Sequence, residues 1–358
     1  MRTDTPKVPP FTVDAGKSSD LRDAKPAISV IIPVHDDADN LWRCLYELCR
    51  SRFTNFEVIV VDDGSSDNIA AKTARDFNAR LIRLSRNGGP AQARNRGARA
   101  GRADLLLFID ADVSVHRDTI ERVVAAFNDA SIDALFGAYD TQPSHGNFCS
   151  QYKNLSHHFF HSSADADAVT FWTGCGAIRK RVFDRLEGFD ERYRRPSIED
   201  VELGVRLKRA GGTIVVDKSV LVTHRKRWTF SSMVKSDVRD RAIPWTILLL
   251  RERNLPNKLN LGWTQRFSML LSYICIGTLF LRPMPLLPIA CLLGIIVLNW
   301  RYYWFFCRQR GPLFATAVLP LQLFFYTYSG VAMGLGILDY VTAKPLTRQE
   351  LPLHELVE

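Results

Sequence analysis

Between Gly311 and Leu338, twenty-eight consecutive residues carry no charge. An α-helix needs about 20 apolar residues to cross the hydrocarbon core of a bilayer, so this run meets the length requirement outright. Two shorter uncharged runs precede it, fifteen residues from Phe267 to Leu281 and eighteen from Pro283 to Trp300. The second reaches a spanning length if Tyr302 to Cys307 extend it past Arg301, whereas the first suits a tilted span, a re-entrant segment or an interfacial helix. As core helices of a soluble domain these runs would be unusually long and rich in Phe, Leu and Ile. Residues 263–358 are therefore expected to form a membrane domain of two to three helices and a short tail.

A chain of 358 residues has room for about two structural units. Met1 to Pro26 is polar, contains Pro6, Pro9 and Pro10, and lacks the apolar stretch of a signal peptide, so it reads as a flexible tail. From Ala27 the pattern changes. Ile28–Pro33 is a short β-branched run ended by Pro, of the kind that forms a buried strand, Phe56–Val61 reads as a second buried strand, and Ala79–Leu84 and Asp104–Ile109 as a third and a fourth strand. Segments with helical spacing lie between them at Asp39–Arg50, Ile69–Asn78 and Ala91–Ala100. Strands alternating with helices of about ten residues predict an α/β domain on a parallel sheet with right-handed crossovers. Sheets of this kind bind ligands at the carboxyl ends of their strands.

Two acidic clusters fall at those ends. Asp62-Asp63-Gly64-Ser65 follows the second strand and Asp110-Ala111-Asp112 the fourth. A hard divalent cation is commonly held by one or two carboxylates together with substrate phosphates. A lone Asp-x-Asp is common in loops, and Asp-Gly alone suits a turn; both at strand ends of one sheet form a stronger signal. Further along, Ile198–Arg209 reads as a helix starting near Asp200, where the helix dipole favours an ionised carboxylate. His224 closes a strand over Thr213–Thr223.

Four segments, in order and spacing, resemble glycosyltransferase family 2, the inverting GT-A class: Ser29–His35, Val60–Asp67, Asn87–Gly97 and Leu107–Asp112. The likeness extends over roughly Ala27 to Trp228. It implies a Rossmann-like GT-A domain, built to handle a nucleotide-diphosphate sugar, followed by transmembrane α-helices. By this resemblance Pro33, Val34 and His35 line the nucleotide pocket, Asp63 meets the base, Asp110 the ribose, and Arg94 lies near the nucleotide. Asp112, joined by His224, would bind Mg²⁺ or Mn²⁺ bridging the diphosphate. Phe171–Ile178 resembles the segment beneath the acceptor, placing Trp172, Thr173, Gly174 and Gly176 on the acceptor side; its glycines would let the backbone approach the sugar closely. Asp200 would be the general base, with Glu199 in support.

Between Thr223 and Pro256, Arg and Lys alternate with Trp, Phe, Ile and Leu, which suits the headgroup layer of a membrane. The formal net charge of +9 agrees with anionic partners. No nucleic-acid recognition motif accompanies the patch, so nucleic acid is excluded as a partner. Seven Cys with no C-x-x-C pair argue against a disulfide scaffold or a zinc module. The expected order is a tail over 1–26, a catalytic domain over 27–228, a basic interfacial segment over 229–262 and the membrane domain over 263–358.

The expected activity is transfer of a sugar, UDP-linked by expectation, to a lipid-linked or saccharide acceptor in envelope or exopolysaccharide assembly. The chain would sit in a bacterial inner membrane with its catalytic domain cytoplasmic. The positive-inside rule places Arg251–Arg266 and Arg301–Arg310 on the cytoplasmic side of a three-span path, with the tail from Asp339 outside. If the first run is only interfacial, the tail faces inward. Two alternatives stand. His224-Arg-Lys-Arg-Trp228 partly imitates the Gln-x-x-Arg-Trp signature of processive polysaccharide synthases, and a catalytically silent membrane scaffold could keep the same fold.

Overall fold

The computed structural model describes residues 25–164, 166–252, 262–279 and 286–342. The proposed N-terminal tail up to residue 24, Arg253, Lys258, Arg282 and the end of the C-terminal tail lie outside the described residues. The chain divides into two compact units. One comprises residues 1–146 and 165–227, the other residues 147–164 and 228–358.

The first unit begins with β1 (Ile28–Val34), α1 (Ala38–Cys49), β2 (Phe56–Asp62), α2 (Ile69–Asp76), β3 (Arg80–Arg83), α3 (Pro90–Ala100) and β4 (Leu105–Ile109). Here the predicted alternation holds, and β3, β2, β1 and β4 lie side by side and parallel. Residues from both faces of β1 and every residue of β4 are buried, as expected for strands covered on both sides. Gly97 of α3 explains how closely that helix approaches the sheet: a Cβ there would stand 2.4 Å from a methyl of Ile31 and 3.1 Å from one of Val61.

The remainder departs from a purely parallel sheet. After β4 come β5 (Val113–Val115), α4 (Thr119–Ala126) and β6 (Ala134–Tyr139), then α5 (Phe148–Ser163), which belongs to the second unit. The chain returns with β7 (Cys175–Arg179), α6 (Lys180–Arg185), α7 (Glu199–Arg209) and β8 (Ile214–His224). The full order is β3-β2-β1-β4-β7-β6-β8-β5, with β7 antiparallel to both neighbours and β5 antiparallel to β8. This mixed sheet is a Rossmann-like GT-A fold. The helical period of 148–163 does not reveal which unit it joins, because its partners lie 70 or more residues later.

The second unit contains α5, α8 (Phe230–Lys235), a π-helical stretch Ser236–Ala242, α9 (Ile243–Glu252), α10 (Trp263–Thr278), α11 (Leu286–Leu298), α12 (Trp300–Arg310) and α13 (Pro312–Thr342). Tyr152, Leu155, Trp228, Met233, Tyr302, Phe306 and Val318 form its buried cluster. Among the described residues one helix, α13, is long and apolar enough to cross a membrane. The second apolar run does not extend straight past Arg301: α11 and α12 meet at a 73° bend. Asn299, at that bend, donates from its side-chain amide to Ser268 Oγ at 2.8 Å and accepts from Tyr326 at 3.2 Å. A buried amide must find such partners, and those found here hold the break in place.

Candidate active site

The parallel register places the carboxyl ends of β1, β2 and β4 along one edge. Val34 pairs with Asp62, and the Asp63 amide donates to the Val34 carbonyl at 2.8 Å. The buried Asp63 carboxylate accepts from the Gly88 and Gly89 amides at 2.9 and 2.8 Å. Gly89 has φ +91°, and a Cβ there would stand 2.6 Å from the backbone of Arg194. Only glycine suits that position, which explains the Asn87-Gly-Gly-Pro90 turn before α3. Asp63 therefore shapes the loop opening α3. Pro33 and His35 sit beside it at the end of β1, His35 exposed.

Asp36, just beyond, adopts φ +51° and accepts from the Ser66 amide at 2.7 Å, tying the loop after β1 to the loop after β2. Nothing local marks that contact, because it joins residues thirty positions apart.

Arg94 is not on a solvated helix face. It is 4% exposed, and its two terminal nitrogens donate to Glu199 Oε1 and Asp110 Oδ1, each at 2.7 Å. Burial alone would favour the neutral guanidine. The carboxylates of Asp110, Glu199 and Asp200 outweigh it and keep the group charged. Burial raises the Asp110 carboxyl, Arg94 opposes this, and Asp112 adds to it. Glu199 is buried and also accepts from the Ser197 amide at 2.9 Å, so it faces Arg94 rather than an open site.

Asp200 is the second residue of α7 and half-buried. Its Oδ2 accepts from the Thr173 amide and hydroxyl, both at 3.1 Å, and its Oδ1 from the Val201 amide at 2.8 Å. Burial, then the adjacent Glu199, pushes its carboxyl up to about 6, against the opposing pull of Arg94. A carboxylate tuned to that value can exchange a proton near neutral pH.

Asp112 meets His224 through the antiparallel pair β5–β8, in which Val113 lies opposite His224 and the Arg225 amide donates to the Asp112 carbonyl at 2.7 Å. Asp112 Oδ2 and His224 Nε2 are 3.5 Å apart. Burial would raise the Asp112 carboxyl, but His224 and then Lys226 overcome it and hold the group below the usual carboxylate range. No group of three or more His, Cys, Asp or Glu side chains able to hold a metal ion occurs among the described residues. One carboxylate and one imidazole suit a divalent cation that completes its shell with substrate phosphates and water, and do not make a closed protein cage.

The His224 ring stacks on Tyr139 with centroids 4.3 Å apart, and Tyr139 meets Trp172 edge-on at 4.9 Å. Tyr139 thus links His224 to Trp172, and no sequence pattern singles it out. Of the residues expected on the acceptor side, Thr173 donates to Asp200 and Trp172 meets Tyr139. Gly174 and Gly176 have protein neighbours instead of an open face: added Cβ atoms would lie 2.2 Å from the Trp172 ring and from the Trp172 carbonyl, respectively. Their small size admits the chain's own tryptophan.

The family model "Glycosyl transferase family 2" matches residues 29–187. This stretch is a glycosyl transferase family 2 domain. Among curated relatives of the domain, "Glycosyltransferase GlyG" of Streptococcus pneumoniae is 30% identical over 126 residues, 34% of this chain and 42% of that protein. "Pre-mycofactocin glycosyltransferase" of Mycobacterium tuberculosis is 28% identical over 213 residues, 56% of this chain and 43% of that protein. The chain thus spans less than half the length of these relatives. The crystallised "Mannosyltransferase PcManGT from Pyrobaculum calidifontis in complex with GDP-Man and Mn2+" superposes with a TM-score of 0.50 at 16% identity, covering 89% of this chain and 88% of the other. At that identity the likeness concerns the fold.

Proposed function

We propose that the protein is an inverting glycosyltransferase, anchored to a membrane, that moves a sugar from a nucleoside-diphosphate donor to a lipid-linked or saccharide acceptor. One observation carries this reading. The Arg94 guanidinium holds Asp110 at the end of β4 and Glu199 at the start of α7, so the strand end expected to meet the donor and the neighbouring Asp200 belong to one site. Asp200 takes the acceptor hydroxyl proton as its oxygen attacks the anomeric carbon. The bond from that carbon to the diphosphate breaks, giving an inverted glycoside and a nucleoside diphosphate. Asp63 and Asp110 are the acceptors offered to the base and ribose, in a pocket flanked by Pro33, Val34 and His35. Trp172 and Thr173 line the acceptor side.

Asp112 and His224 would hold a Mg²⁺ or Mn²⁺ ion. When bound, such an ion neutralises charge building on the leaving diphosphate. The names of the relatives GlyG and pre-mycofactocin glycosyltransferase support glycosyl transfer, and the PcManGT complex with GDP-Man and Mn²⁺ supports the choice of donor class and metal. The test is to offer full-length protein, in membranes of the producing cells, UDP-glucose, UDP-galactose, UDP-N-acetylglucosamine and GDP-mannose, and to follow release of UDP or GDP. Donor-selective release is expected; no release and no binding of UDP or GDP would overturn the reading.

Anchoring rests on the surface of the second unit. Leu286, Leu313, Val297 and Val341 are 76, 87, 68 and 60% exposed. Large apolar side chains exposed in a contiguous series of helices mark a lipid or protein contact. About a third of the most apolar 18-residue stretch of α13 is buried. The 31 residues of that helix reach about 46 Å, beyond the roughly 30 Å of a hydrocarbon core. α11, with 13 residues, reaches only about 20 Å before the bend. Full-length protein should stay with the membrane fraction in 1 M salt, at which charge attraction is screened beyond ~3 Å, and should need detergent for extraction. Release by salt alone would refute a spanning anchor.

A further inference from the structure

We propose that Arg94 is a positioning residue of this site, locking Asp110 with one nitrogen and, through Glu199 with the other, setting the place of Asp200, without itself contacting donor or acceptor. The inference deepens the reading of Asp200 as general base and rests on it. A basic residue on a helix beside an acidic nucleotide pocket would ordinarily be assigned to phosphate. The geometry points elsewhere. Both terminal nitrogens are directed at carboxylates, and the buried Nε has no hydrogen-bond partner among the described residues. The side chain also packs over the Phe189 ring, its guanidinium carbon 5.7 Å from the centroid.

Charge explains why the position needs a cation. Asp110 comes from the end of β4, and Glu199 and Asp200 are successive residues of α7. Three carboxylates gathered around one guanidinium would repel one another without it. Geometry explains why the cation is arginine. Two carboxylates on different elements need two donors in a fixed fork, which a lysine ammonium, a single point charge on a flexible stem, does not provide.

The groups acting on Asp200 come from three elements. Thr173, from the segment before β7, and Val201 donate hydrogen bonds; Glu199, on its own helix, repels the ionised form; Arg94, from α3, favours it. Neutralising Arg94 and neutralising Glu199 should therefore move the proton affinity of Asp200 in opposite directions. A residue that merely supports the fold would not produce paired shifts of opposite sign.

The test measures pH–kcat profiles of full-length wild type, Arg94→Gln, Arg94→Lys and Glu199→Gln in membranes, using whichever of the four donors named above the wild type turns over fastest. The acid limb should rise by about one pH unit in Arg94→Gln and fall in Glu199→Gln, the size typical of an opposite or like charge at close range. Arg94→Lys should keep the limb near its wild-type position while losing rate, because charge is retained and the fork is lost. Arg94→Gln strands two carboxylates and could fail to fold; the near-isosteric Glu199→Gln and the charge-conserving Arg94→Lys still decide the matter. Limbs that do not move in Glu199→Gln, or that move the same way in both neutral variants, would overturn the role of Arg94. If Asp200→Asn keeps its turnover, the base assignment itself fails, which is a different result.

Discussion

Replacing Asp200 with asparagine should lower kcat by roughly 10² to 10⁴, the usual worth of a positioned general base. Binding of UDP or GDP should hardly change, because the carboxylate is held by Thr173 and Val201 on the side assigned to the acceptor. Wild-type kcat should also depend on pH with a definite sign. The base must be ionised to accept a proton, and burial together with Glu199 pushes its carboxyl up to about 6. Rate should fall about tenfold per pH unit below that value and level off above it. The acid limb should vanish in the variant, leaving a low, flat profile. Isothermal titration with UDP and GDP beside turnover assays separates the two effects. Normal turnover with weakened nucleotide binding would place Asp200 on the donor instead.

Replacing Asp112 with asparagine should cost at least about 10²-fold in turnover, since stabilisation of a leaving diphosphate by a divalent ion is worth several kcal/mol. Excess EDTA should reduce wild-type turnover to a similar level, and added Mn²⁺ or Mg²⁺ should restore the wild type but not the variant. The fold should survive, because asparagine has nearly the same shape and the main-chain bond from Arg225 to the Asp112 carbonyl does not involve the side chain. Thermal unfolding of the two proteins gives that comparison. Full activity in the presence of chelator would remove the metal from the mechanism and leave the Asp112–His224 pair a structural contact.

The two predictions rest on residues that became visible in different ways. Asp112 stands out in the sequence because a buried strand and an acidic end are adjacent along the chain. Asp200 is marked by the opening of a helix, also a local feature. The company each keeps is not local. His224 reaches Asp112 only because β8 turns antiparallel to β5. Glu199 meets Arg94 across 105 residues, and its role as the anchor of a buried guanidinium could not be read from its place before Asp200. Tyr139, between His224 and Trp172, carried no signal at all. The glycines at 174 and 176 were expected to make room for sugar, whereas the space above them is taken by Trp172.

The sequence by itself determined the elements and their chemistry: the β-branched strands, the helices between them, the acidic strand ends and the long apolar runs. Periodicity and adjacency act over a few residues, and those residues suffice to express them. Only the tertiary structure decided the partners. It placed β7 antiparallel within the sheet, counted 147–164 with the C-terminal unit, and bent the chain by 73° between α11 and α12 at Asn299. It also turned Arg94 inward between two carboxylates. Each of these outcomes depends on which distant groups can satisfy a buried charge, a buried amide or an unpaired strand edge, and that is settled when the chain closes on itself.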